Sequence, residues 1–283
     1  MWLAGIDEAG RGPCLGPLVV GVVRIPKADS KLLEDAGITD SKLLSPKRRE
    51  ELYGWLQEQS VARGWTVSSM SAEPAMIDEW MAAGSLNALE VDLFASSANL
   101  AISKLQRAES GTLVLDACDV NAPRFGDLVA SRLTGWPWQN WRIISEHGAD
   151  TNHAVVGAAS IVAKVERDRA VEALKEELEI DIGSGYPSDP KTQRSLPKLL
   201  EGQMPHDCLR WKWKTISNAW LELKGEEVPI RGASQQESAP PEPGGVGSAS
   251  LKSDGEESVL PESDGQRSSP TTATGQRNLS DFD

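Results

Sequence analysis

Apolar and polar positions along the first 224 residues fall into two kinds of pattern. Short continuous apolar runs rich in β-branched residues read as buried strands. They are Trp2–Ile6, Leu18–Ile25 (LVVGVVRI), Thr112–Ala117 (TLVLDA) and Trp141–Ser145. Trp65–Met70 alternates apolar with polar residues, as a strand with one polar face does. Longer segments place apolar residues at helical spacing. Pro46–Gln59 follows Ser45 as an N-cap and has Pro46 at the first helical position. Leu86–Ala108, Arg124–Leu133, Pro190–Leu199 and Ile216–Leu223 have the same spacing. The longest helix is predicted over His153–Glu179, with a small apolar first half (AVVGAASIVA) and a charged second half. Strands followed by helices predict an α/β layer fold.

The pattern stops near Leu223. Residues 225–283 are rich in Ser, Gly, Pro, Glu and Gln, with eleven acids, four bases and no amphipathic period. Such a segment cannot offset its ordering entropy by burial and is expected to be a disordered tail. The expected organisation is a folded body over 1–224, an acidic linker over 225–275 and a short terminal peptide over 276–283. The whole chain of 283 residues has 29 Lys+Arg against 42 Asp+Glu, a net charge of −13. That excludes a generally basic nucleic-acid binder but leaves room for a local basic groove. Three clusters could line one: Lys47-Arg48-Arg49, Lys191/Arg194/Lys198 and Arg210/Lys212/Lys214. The longest apolar run, Ala154–Ala163, is about half of what a bilayer needs. The first residues, MWLAGIDEAG, have no basic n-region, against a signal peptide. Cys14, Cys118 and Cys208 are far apart and unpatterned, which argues for a cytoplasmic protein without a disulfide framework or zinc site.

The informative feature is where the carboxylates fall. Asp7 and Glu8 follow the first strand, Asp116 closes TLVLDA, and Asp150 sits in the turn EHGAD before the long helix. Four acids at strand ends and a helix start could converge at one rim of a sheet. Like charges that close raise each other's pKa, and divalent cations resolve the repulsion. Oxygen-only ligands favour Mg²⁺ or Mn²⁺, and two such ions support phosphodiester hydrolysis. A lone acid after a strand is more often a turn or cap residue, so placement alone leaves both readings open.

The segment GIDEAGRGPCLGPLVVG (residues 5–21) adds glycines that let backbone approach a ligand, with Arg11 able to fork a phosphate. GIDEAGRGP closely resembles the opening motif of the type 2 ribonucleases H, the ribonuclease HII family. TDSKLLSPKRREEL (39–52), SLNALE (85–90), TLVLDACDVN (112–121), EHGAD (146–150), AASIVAKVERDR (158–169), GSGYPSDPKT (183–192) and RWKWKT (210–215) continue the match in order. The version here is closer to archaeal members than to bacterial ones.

The resemblance implies a ribonuclease H-like fold, with a central mixed five-stranded sheet flanked by helices and a helical C-terminal region. It implies endonucleolytic cleavage of RNA in RNA–DNA hybrids and 5′ to a ribonucleotide embedded in duplex DNA, leaving 3′-hydroxyl and 5′-phosphate ends. By the same resemblance Asp7, Glu8, Asp116 and Asp150 are the metal-binding, catalytic carboxylates. Gly10, Arg11 and Gly12 sense the ribose 2′-hydroxyl through backbone groups, Tyr186 packs on the sugar, and Lys42 with Ser41 contacts phosphate. Two departures fall near Asp150: Gly148 stands where the family commonly has lysine, and TNHAVV replaces a tyrosine-containing stretch. His147 and His153 are expected to be structural hydrogen-bonders. At the far end, Gln276, Leu279 and Phe282 resemble the short peptide with which partners bind the replication sliding clamp, without its usual second aromatic. The overall expectation is a monomeric enzyme. The alternatives are another nuclease on the same fold and a clamp-tethered hybrid-binding module without catalysis.

Overall fold

Small residues on one long helix and glycines on two strands set the architecture. The computed structural model describes residues 1–38, 43–103 and 109–231. Five strands, β1 (Trp2–Ala9), β2 (Leu18–Pro26), β3 (Thr66–Ala72), β4 (Gly111–Asp116) and β5 (Trp141–Glu146), form one sheet in the order β3-β2-β1-β4-β5. β1 pairs antiparallel with β2, and β2 with β3. β1 with β4 and β4 with β5 run parallel, an arrangement that needs crossover helices. The helices are α1 (Ser30–Asp35), α2 (Pro46–Arg63), α3 (Pro74–Ala83), α4 (Leu86–Ile102), α5 (Ala122–Arg132), α6 (Ala149–Asn152), α7 (Ala154–Leu178), α8 (Pro190–Leu199) and α9 (Lys214–Lys224).

Local chemistry starts and stops these helices where the sequence suggests. Ser45 accepts from the Arg48 N–H at 3.2 Å ahead of Pro46. Gly64, at φ 67°, ends α2 in the left-handed conformation. Asn121 caps α5 and Asp189 caps α8 in the same manner.

One face of the sheet packs on α4 and α5, with Phe94 and Phe125 edge to face at 5.0 Å. The other packs on α7 and α2. Cys14, Leu15, Leu209, Trp211, Ile216 and Trp220 join α8 and α9 in a third cluster. A single bridge, Leu15 with Leu209, stitches the loop after β1 to this C-terminal region. Past α9, Arg231 pairs with buried Asp78 of α3 at 3.1 Å and with Asp207 at 2.8 Å. Asp78 also accepts the backbone N–H groups of Trp211 and Lys212, each at 2.9 Å.

The mixed five-stranded sheet, the helices on both faces and the helical C-terminal region agree with expectation. Several boundaries differ. β1 runs on through Asp7 and Glu8, because those residues keep pairing with Gly21 and Val20. The helix expected from His153 begins at Ala154, and a separate turn, α6, precedes it. α4 ends at Ile102, and residues 104–108 of the expected helix lie outside the described set. α1 is too short to leave a period, and α3 was missed although Pro74, Ile77, Trp80 and Met81 carry its start and spacing. Among the described residues no helix is long and apolar enough to cross a membrane.

The glycines explain how α7 lies so close to the sheet. A Cβ on Gly5 would sit 2.5 Å from the Val155 carbonyl, and one on Gly21 would overlap the Ala159 carbonyl oxygen. Neither obstacle is a flexible side chain. Gly21→Ala is therefore expected to cost at least about 2–3 kcal/mol of stability. Gly54, within α2 with nothing within 4 Å of its Cβ position, is the control. Gly54→Ala is expected to stabilise by about 0.5–1 kcal/mol through helix propensity. Chemical denaturation of both variants checks the pair.

Candidate active site

β1 brings two acids to the sheet rim, and strand alternation sends them to opposite faces. Asp7 turns toward α7, where Ser160 and Lys164 lie, and Glu8 toward α4, where Glu90 lies. β4 ends on Asp116 beside them. Its Oδ1 accepts the backbone N–H groups of Gly148 at 2.8 Å and Ala149 at 3.2 Å, which fixes both the carboxylate and the turn that follows β5. That turn then delivers Asp150 in α6. One oxygen each from Asp7, Asp116 and Asp150 lie within 4.8 Å of one another. Asp7 and Asp150 are buried.

Glu8 joins a neighbouring group. A carboxylate oxygen each from Glu8 and Glu90 and the Cys118 sulfur also lie within 4.8 Å of one another. Burial and the adjoining acids hold the Cys118 proton in place, raising its pKa far above an ordinary thiol's, so no thiolate is offered there. Glu90 is completely buried and takes the Arg11 Nε at 2.8 Å, while Asn87 takes its Nη2 at 2.6 Å. The Arg11 guanidinium, read from sequence as a fork for phosphate, is thus already engaged by α4.

The electrostatics show what the acid cluster lacks. Burial, then the charge of Asp116, pushes the Asp7 carboxyl up to about 7, against the hydrogen bond of Ser160 and the charge of Lys164. Burial and the charges of Asp7, Glu90 and Asp116 likewise raise Glu8 well above the usual carboxylate range. Carboxyls raised by burial and by one another's charge suit a divalent cation, which removes the repulsion that raises these pKa values. The donors that meet at Asp7 are carboxylate oxygens alone, a hard set matching Mg²⁺ or Mn²⁺.

Beside the acids lies the glycine loop. Gly10 has φ +88°, and a Cβ there would fall 2.6 Å from the Pro17 carbonyl oxygen. A Cβ on Gly12 would come 3.3 Å from the Tyr186 ring. Tyr186 is 43% exposed and is held out by its own loop. Asp189 accepts the Ser184 N–H at 2.7 Å and donates its N–H to the Tyr186 carbonyl at 3.0 Å. Arg167 of α7 reaches this loop, donating to the Ser184 carbonyl and lying 5.7 Å from the Tyr186 ring.

Three expectations are modified. Arg210 is not a groove cation, because it is fully buried beneath the glycine loop; Lys212 and Lys214 beside it are exposed. Arg49 is committed to Asp168 at 3.1 Å and Lys191 to Asp181 at 2.8 Å. Gly148 has φ +69°, a left-handed turn in which a lysine would be strained. His147 and His153 make hydrogen bonds to the Asp119 carbonyl and to Glu146. Ser41, Lys42, Gln276, Leu279 and Phe282 lie outside the described residues. Sequence reasoning missed Glu90 and Asn87, although both sit in SLNALE, and an acid within the apolar stripe of a helix was the available signal.

The family model for ribonuclease HII matches residues 4–216, a span that carries all the acids and loops just described. The chain belongs to the ribonuclease HII family. It is an enzyme, a ribonuclease H of the endonuclease type. Ribonuclease HII of Methanosarcina barkeri is 40% identical over 230 residues, covering 79% of this chain and 97% of that one. Among solved structures, the ribonuclease H2 from Pyrococcus horikoshii OT3 superposes with a TM-score of 0.65 at 35% identity, covering 80% of this chain and all of that one. The ribonuclease HII of Archaeoglobus fulgidus, solved as a complex with PCNA, gives a TM-score of 0.64 at 35% identity, with 76% and 96% coverage.

The raised Asp7 pKa makes a testable link to stability. A carboxyl with a folded pKa above its unfolded value of 3.8 contributes stability that is fully present below 3.8 and lost as pH rises through about 7. The metal-free protein is therefore expected to melt at falling temperature between about pH 4 and pH 8. Mg²⁺ should restore most of the loss at pH 8. Asp7→Asn should make the metal-free profile shallower and abolish the Mg²⁺ effect. Thermal melts across pH, with chelator or with Mg²⁺, check all three.

Proposed function

We propose that this ribonuclease HII hydrolyses the RNA strand of RNA–DNA hybrids. It also incises duplex DNA on the 5′ side of a single embedded ribonucleotide, leaving 3′-hydroxyl and 5′-phosphate ends. The observation that carries the reading is the meeting of Asp7, Asp116 and Asp150 within 4.8 Å, at the rim where Gly12 lies against Tyr186. A hydrolytic centre and a sugar-sized contact surface stand side by side.

Asp7, Glu8, Asp116 and Asp150 would hold two divalent ions, Mg²⁺ or Mn²⁺. When bound, such a pair supplies an activated water and stabilises the leaving oxygen. The chain does the positioning. The Glu8 N–H donates to Asp7 at 2.8 Å, and the two backbone donors to Asp116 keep its carboxylate turned to the cluster. Discrimination falls to the glycine loop. The 2′-hydroxyl distinguishes RNA from DNA at one position, and the amides of Gly10–Gly12 can meet it because a side chain on Gly12 would intrude on Tyr186. The Tyr186 ring packs on the sugar. Ser41, Lys42 and the exposed Lys212 and Lys214 contact backbone phosphates.

The tail extends the reading. An archaeal relative is solved in complex with PCNA, and Gln276, Leu279 and Phe282 supply a glutamine and two apolar anchors to a sliding clamp. The residues between Arg231 and Gln276 would tether the body to a bound clamp. The enzyme works as a cytoplasmic monomer.

Two experiments test these claims. A duplex with one ribonucleotide, incubated with Mg²⁺ or Mn²⁺ and sized on a gel, is expected to yield one nick 5′ to that residue and none with chelator. Asp116→Asn should abolish the nick, while its metal-free melting temperature stays at or above the wild type's because a like charge has been removed; an active Asp116→Asn protein refutes the assignment. For the tail, a peptide of residues 272–283 is expected to bind the clamp at tens of micromolar or tighter. Phe282→Ala should weaken it at least tenfold by calorimetry, and no binding ends the proposal.

A further inference from the structure

The outer side of the glycine loop is the proposed sugar reader, and its inner side is held by Arg210, from the far end of the chain. We propose that Arg210 is a positioning residue for ribonucleotide recognition. It acts through the peptide groups it grips, setting the direction of the Arg11 and Gly12 N–H groups. This rests on the reading of Gly10–Gly12 as the 2′-hydroxyl sensor.

The Arg210 side chain is fully buried. Its Nη2 donates to the Gly10 carbonyl at 2.6 Å, its Nη1 to the Arg11 carbonyl at 3.1 Å and its Nε to the Gly16 carbonyl at 3.0 Å. In a trans peptide the C=O and N–H point in opposite directions. The peptides joining Gly10 to Arg11 and Arg11 to Gly12 therefore turn their N–H groups away from the guanidinium. A cation on the carbonyl also polarises the peptide and strengthens its N–H as a donor. One residue thus fixes the aim and the strength of two adjacent donors.

The grip is itself braced. The Arg210 N–H donates to the Cys14 carbonyl at 2.9 Å. Trp213 lies 4.8 Å from the guanidinium, and its Nε1 donates to the Gly12 carbonyl at 3.3 Å. Asp78 anchors the backbone of the two residues between them. Among the described residues no carboxylate lies within ion-pairing distance of Arg210, so the three loop carbonyls are its main compensation. A buried cation is costly where an apolar side chain would fill the space; the geometry of the grip is what an apolar residue could not supply. Lysine could not supply it either, since one ammonium cannot span three carbonyls as a planar fork does.

The test compares matched duplexes that differ by one 2′-hydroxyl. Their dissociation constants are measured in Ca²⁺, and kcat/KM for the ribonucleotide duplex is measured in Mg²⁺. Arg210→Lys is expected to lower the ribo-to-deoxy binding ratio by roughly tenfold, as loss of charge-assisted hydrogen bonds does, and kcat/KM with it. The Mg²⁺-induced rise in melting temperature should stay at the wild-type value, since no carboxylate has changed. A folded Arg210→Lys protein that keeps the ratio within about twofold overturns the inference. Should Arg210→Lys fail to fold, Arg210→Gln, whose single amide cannot span the Gly10, Arg11 and Gly16 carbonyls, is expected to lower the ratio by roughly tenfold. An unchanged ratio there overturns the inference equally. Gly12→Ala separates the two layers of the claim: if it leaves the ratio intact, the sensor reading fails; if it collapses the ratio while Arg210→Lys does not, only the role of Arg210 fails.

Discussion

The close seating of α7 against β1 and β2 is the constraint on which the site depends. It exists because Gly5 and Gly21 have no side chains to hold the helix off, and because the helix offers mostly Ala, Val and Gly in return. With the helix that near, its residues reach the rim in sequence. Asp150 arrives just ahead of it, Ser160 and Lys164 face Asp7, and Arg167 extends to the loop carrying Tyr186. One rod therefore links the side chains beside Asp7 to the loop that carries Tyr186.

Charge is managed locally in a chain that is acidic overall. The rim concentrates carboxylates, and cations stand behind them: Lys164 near Asp7, Arg11 against Glu90, and Arg210 under the glycine loop. These positive groups are built into the fold and are not free to act as a groove. Lys212 and Lys214, close to Arg210 in sequence, face solvent instead.

Much of this could be read from the chain alone, and the failures have identifiable causes. The five strands were legible because buried strands leave unbroken apolar runs, as LVVGVVRI does. The acids at their ends were legible because a carboxylate beside Leu113–Leu115 has few structural uses. What could not be read was direction. Asp7 and Glu8 are consecutive, and only the pairing of β1 through Ala9 shows that they face different helices. The burial of Arg210 was hidden for a similar reason. In RWKWK it looks like one of three bases, and its partners are backbone carbonyls some two hundred positions away, which leave no trace in a pattern of side chains. Glu90 was masked by its neighbours: a single acid in a helical stripe looks the same whether it meets solvent or a buried guanidinium.

Arg231, beyond the last helix, closes an ion pair with Asp78, whose carboxylate also carries the N–H groups of Trp211 and Lys212. Anyone trimming the protein for crystals, or fusing another polypeptide to it, would naturally cut after α9. Cutting there strips the guanidinium from a carboxylate that is only 3% exposed and loosens the segment that holds the glycine loop. The safe junction lies past Arg231, several residues later than the helix boundary suggests.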